Sequence, residues 1–325
     1  MATKVRFGVF TDLHVDIMHD CQQRLSTFID ACREADVDFI IELGDFCYPD
    51  EGRLCVCKPE NRPVNIENAL NHPTYADKPA ILSLFRDFEK PSYFVIGNHD
   101  LDMCSTEQML AYFGSDRGAY YSFDCGGIHF VVLDGNYFYA DGAYHHYDNG
   151  CYFDHGYDNP PCMPYLPPQE LAWLQNDLAS TRLPSVLFSH QCLRHLRNTP
   201  DLMKVISQAP NRVILSANGD LHRDNITRLG DTWFWNVNSM SNCWLDVGYE
   251  TMRYTPEIDQ MYPSIKYVVP YRDSLFAIVT ITDGVIDIKG QQSEFVGPTP
   301  AQLGMPMSNW EEIISPSITS YNVSW

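Results

Sequence analysis

VRFGVFTDLH, residues 5–14, runs from an apolar strand pattern straight into a turn carrying two metal-type side chains, Asp12 and His14. The same plan recurs along the chain, in FIIELGD at 39–45, YFVIGNHD at 93–100, VLFSH at 186–190 and VILSANGDLH at 213–222. Each begins as a short β-rich run and ends in Gly, Asp, Asn or His. Further strand-like runs cover 128–133 and 276–281, and apolar residues at helical spacing cover 22–34, 80–88, 106–113, 169–178 and 202–208. Thr106 and Pro168 serve as helix start signals. This alternation predicts an α/β fold, in which ligands bind outside the carboxyl ends of the strands.

The chemistry sits at those ends. Residues two apart on an extended chain point to the same side, which pairs Asp12 with His14 and Asp220 with His222. Gly44 permits a sharp turn that delivers Asp45, and Gly97-Asn98-His99-Asp100 presents an amide oxygen, an imidazole and a carboxylate in succession. A capping Asp or a plain turn explains any one of these motifs alone. It does not explain five strand ends that all carry ligand-type side chains. Asp12, His14, Asp45, Asn98, His190, Asp220 and His222 offer carboxylate, imidazole and amide oxygen without thiolate, the donor set of manganese, iron or zinc. Seven donors exceed one ion's needs, whereas two divalent ions about 3.5–4 Å apart that share a carboxylate would use them all.

The order Asp-x-His, Gly-Asp, Gly-Asn-His-Asp, His, Gly-Asp-x-His between Asp12 and His222 resembles that of the calcineurin-like metallophosphoesterases. The resemblance implies a four-layer α-β-β-α sandwich of two facing mixed sheets flanked by helices, with the metals at the strand ends. Asp12, His14 and His222 would then bind the first metal, Asp45 would bridge, and Asn98 and His190 would bind the second. His99, paired with Asp100, would serve the leaving group as the catalytic residues. Hydrolysis of a phosphoester by a metal-bridging hydroxide is the implied reaction.

One position departs from the family pattern: Asp220 stands where the first His of Gly-His-x-His would ligate the second metal. Direct carboxylate coordination, coordination through a water, and a weakened second site are the three readings, and the first is favoured. Asp12, Asp45 and Asp220 would cancel three of the four charges of two divalent ions, where the usual site cancels two. That shift favours a monoanionic diester over a dianionic monoester, and manganese or iron over zinc. A phosphomonoesterase and a non-catalytic scaffold of the same fold are the alternatives. Tyr48, three residues after Asp45, has the spacing of the iron-binding tyrosine of purple acid phosphatases, but His14 already fills the first site, so Tyr48 is read as a substrate-side wall. Arg194 and His195, close after His190, either reach a substrate phosphate or begin a solvated helix.

The remaining readings bound the context. With 325 residues, 45% of them hydrophobic and 13% aromatic, the chain supports one sizeable core. A metallophosphoesterase domain over 1–290 is expected, with insertions near 49–78, 135–168 and 242–272 that fit no regular element, and an extended tail over 291–325 packed on the body or on a partner subunit in a homo-oligomer. The insertion at 137–157 is crowded with Tyr, Phe and His; it either packs on itself or forms a wall that stacks on a base, sugar or acyl group. Trp233, Trp235 and Trp244 are expected in the core or at the rim. Lys+Arg 22 against Asp+Glu 42 gives a net charge of −20, which disfavours duplex nucleic acid and anionic membranes. The expected partner is a small phosphoester. The first thirty residues do not resemble a signal peptide, no run is long enough to span a bilayer, and the eleven scattered cysteines, with Cys47, Cys55 and Cys57 read as loop residues, suit a cytoplasmic protein.

Overall fold

A computed structural model describes residues 4–46, 78–102, 104–155, 163–246, 248–305 and 314–325. The expectations for Tyr48, for Cys47, Cys55 and Cys57, and for nearly all of the insertion at 49–78 lie outside the described residues. In chain order the strands are β1 (Lys4–Phe10), β2 (Phe39–Glu42), β3 (Ser92–Phe94), β4 (Tyr121–Cys125), β5 (Ile128–Val132), β6 (Tyr137–Ala140), β7 (Ala143–His146) and β8 (Ser185–Ser189). They continue as β9 (Val213–Asn218), β10 (Asn225–Leu229), β11 (Thr232–Asn236), β12 (Asn242–Trp244), β13 (Val268–Pro270), β14 (Ala277–Thr282), β15 (Val285–Lys289) and β16 (Tyr321–Ser324). The helices are α1 (Cys21–Glu34), α2 (Lys78–Arg86), α3 (Thr106–Phe113), α4 (Pro168–Ser180), α5 (Thr199–Gln208) and α6 (Pro256–Met261).

Two six-stranded mixed sheets form, in the orders β16-β15-β14-β1-β2-β3 and β10-β11-β9-β8-β5-β4. In the first, β1, β2 and β3 run parallel; in the second, β5, β8, β9 and β11 do. Antiparallel strands close the second sheet at both edges and the first at its β16 edge, while parallel β3 forms the other edge of the first.

The period-2 alternation of the strands decides which layer each side chain enters. Val5, Phe7 and Val9 of β1 join Phe39 and Ile41 of β2 in one buried cluster with Phe130, Val132, Val186, Phe188 and Trp235 of the second sheet. Phe10 and Ile40 point the other way, onto Phe28 of α1 and Phe85 of α2. On the far side, Val131 and Leu187 meet Leu174 and Leu178 of α4 and Leu202 of α5. The result is the four-layer α-β-β-α sandwich. Phe130 holds the sheets together: it lies 5.0 Å from Phe39 and 5.7 Å from both Phe7 and Phe188, ring centre to ring centre.

Two insertions carry more structure than their sequences suggest. Residues 135–168 contain the hairpin β6–β7, and 242–272 contain β12, β13 and α6. Both were expected to lack regular elements, because their strands are only three or four residues long and too short to show a period. The tail ends in β16, which completes the edge of the first sheet through β15, so its last segment is an extended strand paired to the body. His146 of β7 is clamped by Asp134 Oδ2 at 2.9 Å and Asp148 Oδ1 at 3.0 Å. Burial opposes its charge, but these carboxylates raise its pKa to about 10.

Two tests follow from this packing. Phe130→Ala should cost about 3–5 kcal/mol of unfolding free energy in urea titrations; a cost below about 1 kcal/mol would contradict its role between the sheets. The folded pKa of His146 lies above the unfolded value, so its stabilisation is complete below about pH 6.5 and is lost as pH rises towards 10. His146→Gln should therefore flatten the fall in stability between pH 7 and 10, and an unchanged slope would refute the clamp.

Candidate metal centre and its leaving-group pair

The first sheet contributes three loops and the second two, all from strand carboxyl ends. Asp12 and His14 follow β1, Asp45 follows β2, Asn98 and His99 follow β3, His190 follows β8, and Asp220 and His222 follow β9. Backbone hydrogen bonds register the loops: Asp12 N–H donates to Gly44 O at 2.9 Å and His14 N–H to Asp45 O at 3.1 Å. Asp12, His14, Asp45, His190 and His222 are at most 2% exposed, and Asn98 is 4% exposed. Asp220 remains partly open, with 30% of its side chain exposed.

The local backbone is bent to bring these groups together. Among the described residues, Asp12, His14, Asp45, Asp220 and His222 all take positive φ, between 48° and 68°. Left-handed backbone at non-glycine residues is uncommon, and its concentration here marks a site that the surrounding fold holds in place. Two glycines allow the close approaches. A Cβ on Gly97 would stand 2.1 Å from Asp45 Oδ1, and one on Gly44, which itself has φ +100°, would stand 2.4 Å from His190 Nδ1.

The donor atoms form two overlapping groups, Asp12 with His14 and His222, and Asp12 with Asp45 and His190. His222 Nε2 lies 3.1 Å from Asp12 Oδ1 and 3.2 Å from His14 Nε2. Asp12 is common to both groups, and Asp45 Oδ2 lies 3.3 Å from His190 Nε2 and 4.0 Å from His14 Nε2. Asp220 Oδ1 is 3.8 Å from His190 Nε2. The donor set fits two cations. The Nδ1 atoms of His190 and His222 are each 2.8 Å from a carbonyl, Leu43 O and Asn242 O, which orients each ring with Nε2 towards the cluster. Asn98 Oδ1 is buried without a hydrogen-bond partner among the described residues, a costly state for an amide oxygen that a cation would relieve.

The electrostatics point the same way. Burial lowers the pKa of His14 to about 3, against the pull of Asp45, so its imidazole is neutral and able to ligate. Burial would raise Asp45, but His190 and His99 hold its carboxyl below the usual range. Burial likewise opposes charge on His190, yet the Asp45 carboxylate beside it raises its pKa well above normal. Glu42, pushed up by burial, is a neutral acid that accepts from Gly44 N–H at 2.7 Å and so supports the turn.

The partner of His99 differs from expectation. Its Nδ1 lies 2.8 Å from Asp102 Oδ2, three residues on, and not beside Asp100. Asp100 instead accepts from Gly97 N–H at 2.8 Å and Asp45 N–H at 3.0 Å, tying the β3 loop to the β2 loop. A single 3₁₀ turn, His99–Leu101, explains the exchange, since three-residue spacing brings Asp102 back over His99 while Asp100 turns inward. Burial opposes the charge on His99, but Asp102 and Asp45 raise its pKa to about 9. At neutral pH it is an imidazolium, whose Nδ1–H donates to Asp102.

Several contributors escaped the sequence reading. Thr11 Oγ1 donates to Asp12 Oδ2 at 2.7 Å, and the hydroxyls of Ser239 and Ser241 donate to Asp12 O at 2.9 and 3.1 Å. Half-buried Trp244 flanks His14, His222 and His99 at ring distances of 5.6, 5.9 and 6.2 Å. Trp235 is core. Nothing in their spacing relates Ser239, Ser241 or Trp244 to the motifs, because the β11–β12 loop and the three-residue β12 meet the site only in three dimensions. Arg194 is half-buried and His195 exposed, on the turn after β8.

Residues 5–234 match the calcineurin-like phosphoesterase family. This chain is a member of that family. No curated protein sequence matches it. Among solved structures, a dimetal phosphatase from Danio rerio aligns over 91% of this chain and 99% of its own, at 14% identity and a TM-score of 0.58. The anchor in the inner membrane complex of Plasmodium aligns over 89% of this chain and 84% of its own, at 12% identity and a TM-score of 0.48. A putative 5'-nucleotidase from Staphylococcus aureus aligns over 90% of this chain and 54% of its own, at 11% identity and a TM-score of 0.47. The first of these likenesses supports the phosphoesterase fold.

Gly97→Ala tests the bridging position. The new Cβ must displace the Asp45 carboxylate, so Mn²⁺ affinity measured by calorimetry should fall at least about tenfold while the circular dichroism spectrum persists. Binding equal to that of the unmodified protein would show that Asp45 holds no cation.

Proposed function

We propose that this phosphoesterase hydrolyses a small phosphodiester with two divalent cations, manganese or iron in preference to zinc. The observation that supports the reading is Asp220, a carboxylate where the family pattern has an imidazole, whose Oδ1 lies 3.8 Å from His190 Nε2, itself 3.3 Å from Asp45 Oδ2; with Asn98 these residues would form the second ligand group. Asp12, His14 and His222 would hold one cation, the second group the other, and Asp45 both. Bound there, the pair would neutralise phosphoryl oxygens and lower the pKa of a water that attacks phosphorus.

The chain's own residues supply the rest. His99 carries a proton at neutral pH and is oriented through Nδ1, so Nε2 is the atom that serves the departing oxygen. Trp244, ringed by three site histidines, offers an apolar face to the organic part of the ester. Arg194 and His195 are the candidates for phosphate contact from the β8 side. With three carboxylates at the centre and −20 on the chain, a doubly charged monoester gains less from the site than a singly charged diester.

No helix among the described residues is long and apolar enough to cross a membrane. A cytoplasmic setting is proposed on the cysteines, seven of which are free thiols in the described residues.

The test compares bis(p-nitrophenyl) phosphate with p-nitrophenyl phosphate after Mn²⁺ loading. Diester turnover should exceed monoester turnover, and Asp220→His should lower that preference by roughly tenfold, about 1.4 kcal/mol of differential binding. Faster monoester cleavage by the unmodified protein, or reactivation strongest with Zn²⁺, would overturn the diester and metal assignments respectively.

A further inference from the structure

The insertion at 135–168 reaches the leaving-group pair with a single hydroxyl. Tyr152 O–H donates to Asp102 Oδ1 at 2.5 Å, while Asp102 Oδ2 receives His99 Nδ1–H at 2.8 Å. Tyr152 and Asp102 are each 1% exposed, so bulk water does not substitute for either partner. We propose that Tyr152 is a positioning residue for hydrolysis, which fixes the Asp102–His99 pair and makes the aromatic insertion part of the leaving-group machinery.

The surrounding structure is built to deliver that hydroxyl. Asn149 and Gly150 take consecutive left-handed conformations, φ 56° and 62°, which reverse the chain ahead of Tyr152. Its ring stacks on Tyr147 at 4.4 Å, and Tyr147 is itself buried. The insertion is also pinned to the loop that carries the pair: Asn149 N–H donates to Cys104 O at 2.9 Å, and Thr106 N–H to Asp148 Oδ1 at 2.6 Å. A slip of this clamp would withdraw the phenol from Asp102.

The physical consequence is directional. A buried carboxylate is held in one orientation only while both of its oxygens are engaged. Without the phenol, Asp102 Oδ1 loses its anchor in a dry site, the carboxylate is free to turn, and the Oδ2 contact that aligns the His99 ring lengthens. The step affected is the departure of the alcohol. As the P–O bond breaks, its electron pair takes the proton from His99 Nε2, and the imidazole regains a proton released by the attacking water. A good leaving group departs without that proton, whereas a poor one needs it.

The inference rests on the hydrolase reading, and the test separates the two. A series of aryl methyl phosphates with phenyl, 4-nitrophenyl and 2,4-dinitrophenyl leaving groups is assayed on the Mn²⁺-loaded protein, Tyr152→Phe and Asp102→Asn, with melting curves to confirm folding. Tyr152→Phe should lower kcat about tenfold for the phenyl ester and less than about twofold for the dinitrophenyl ester, at constant KM. Asp102→Asn should show the same order with larger losses. A uniform fall across the series, or none, would overturn the proposal. The ¹H resonance of His99 Nδ1–H supplies a readout independent of turnover: it should move upfield in Tyr152→Phe, and an unmoved resonance would overturn the proposal even if no ester is cleaved. Absence of turnover in the unmodified protein would instead sink the hydrolase reading.

Discussion

The Asp45 carboxylate is the point on which the site turns. One oxygen takes the backbone N–H of His99 at 2.9 Å, and the other lies 3.3 Å from His190 Nε2 and 4.0 Å from His14 Nε2. Asp45 stands at the end of β2 in the first sheet, while His190 arrives from β8 in the second. A buried anion between imidazoles from two sheets is stable only if positive charge lies on both sides of it. The pull of Asp45 on His190, whose pKa it raises well above normal, reflects that need. Two cations would supply that charge permanently and would at the same time create the electrophilic field that phosphoryl transfer requires.

The fold can sustain this arrangement because the aromatic layer between the sheets is rigid. Phe7, Phe39, Phe130 and Phe188 fix the separation of the two strand ends, so ligands from different sheets converge without further adjustment. What remains is absorbed locally, by five non-glycine residues in left-handed backbone and by Gly44 and Gly97, where no Cβ fits. The strain is confined to the turns, where it aims side chains, and is balanced by the sandwich beneath.

Legibility in the sequence followed chain locality. Asp12, His14, Asp45, Asn98, His190, Asp220 and His222 each stand directly after an apolar strand run, so the strand signal and the ligand signal reinforce one another. Parallel β1, β2, β3, β8 and β9 were visible for the same reason and β5 as an apolar run alone, whereas parallel β11 was not read. The Asp100 assignment failed because neighbours in sequence are not neighbours on a 3₁₀ turn; the three-residue period selects Asp102. Tyr152, Ser239, Ser241 and Trp244 were illegible as site residues because they stand on a kinked 3₁₀ segment, a loop and a three-residue strand, none of which carries a periodic pattern. The aromatic richness of 137–157 left self-packing and a substrate wall open, and the stack of Tyr147 on Tyr152 is a contact of the first kind.

Anomalous diffraction from crystals soaked in Mn²⁺ addresses the central claim most directly. Two manganese peaks should appear, one among Asp12, His14 and His222 and one among Asn98, His190 and Asp220, with the Asp45 carboxylate between them. A single peak, or peaks away from Asp45, would contradict a dinuclear centre built on that residue.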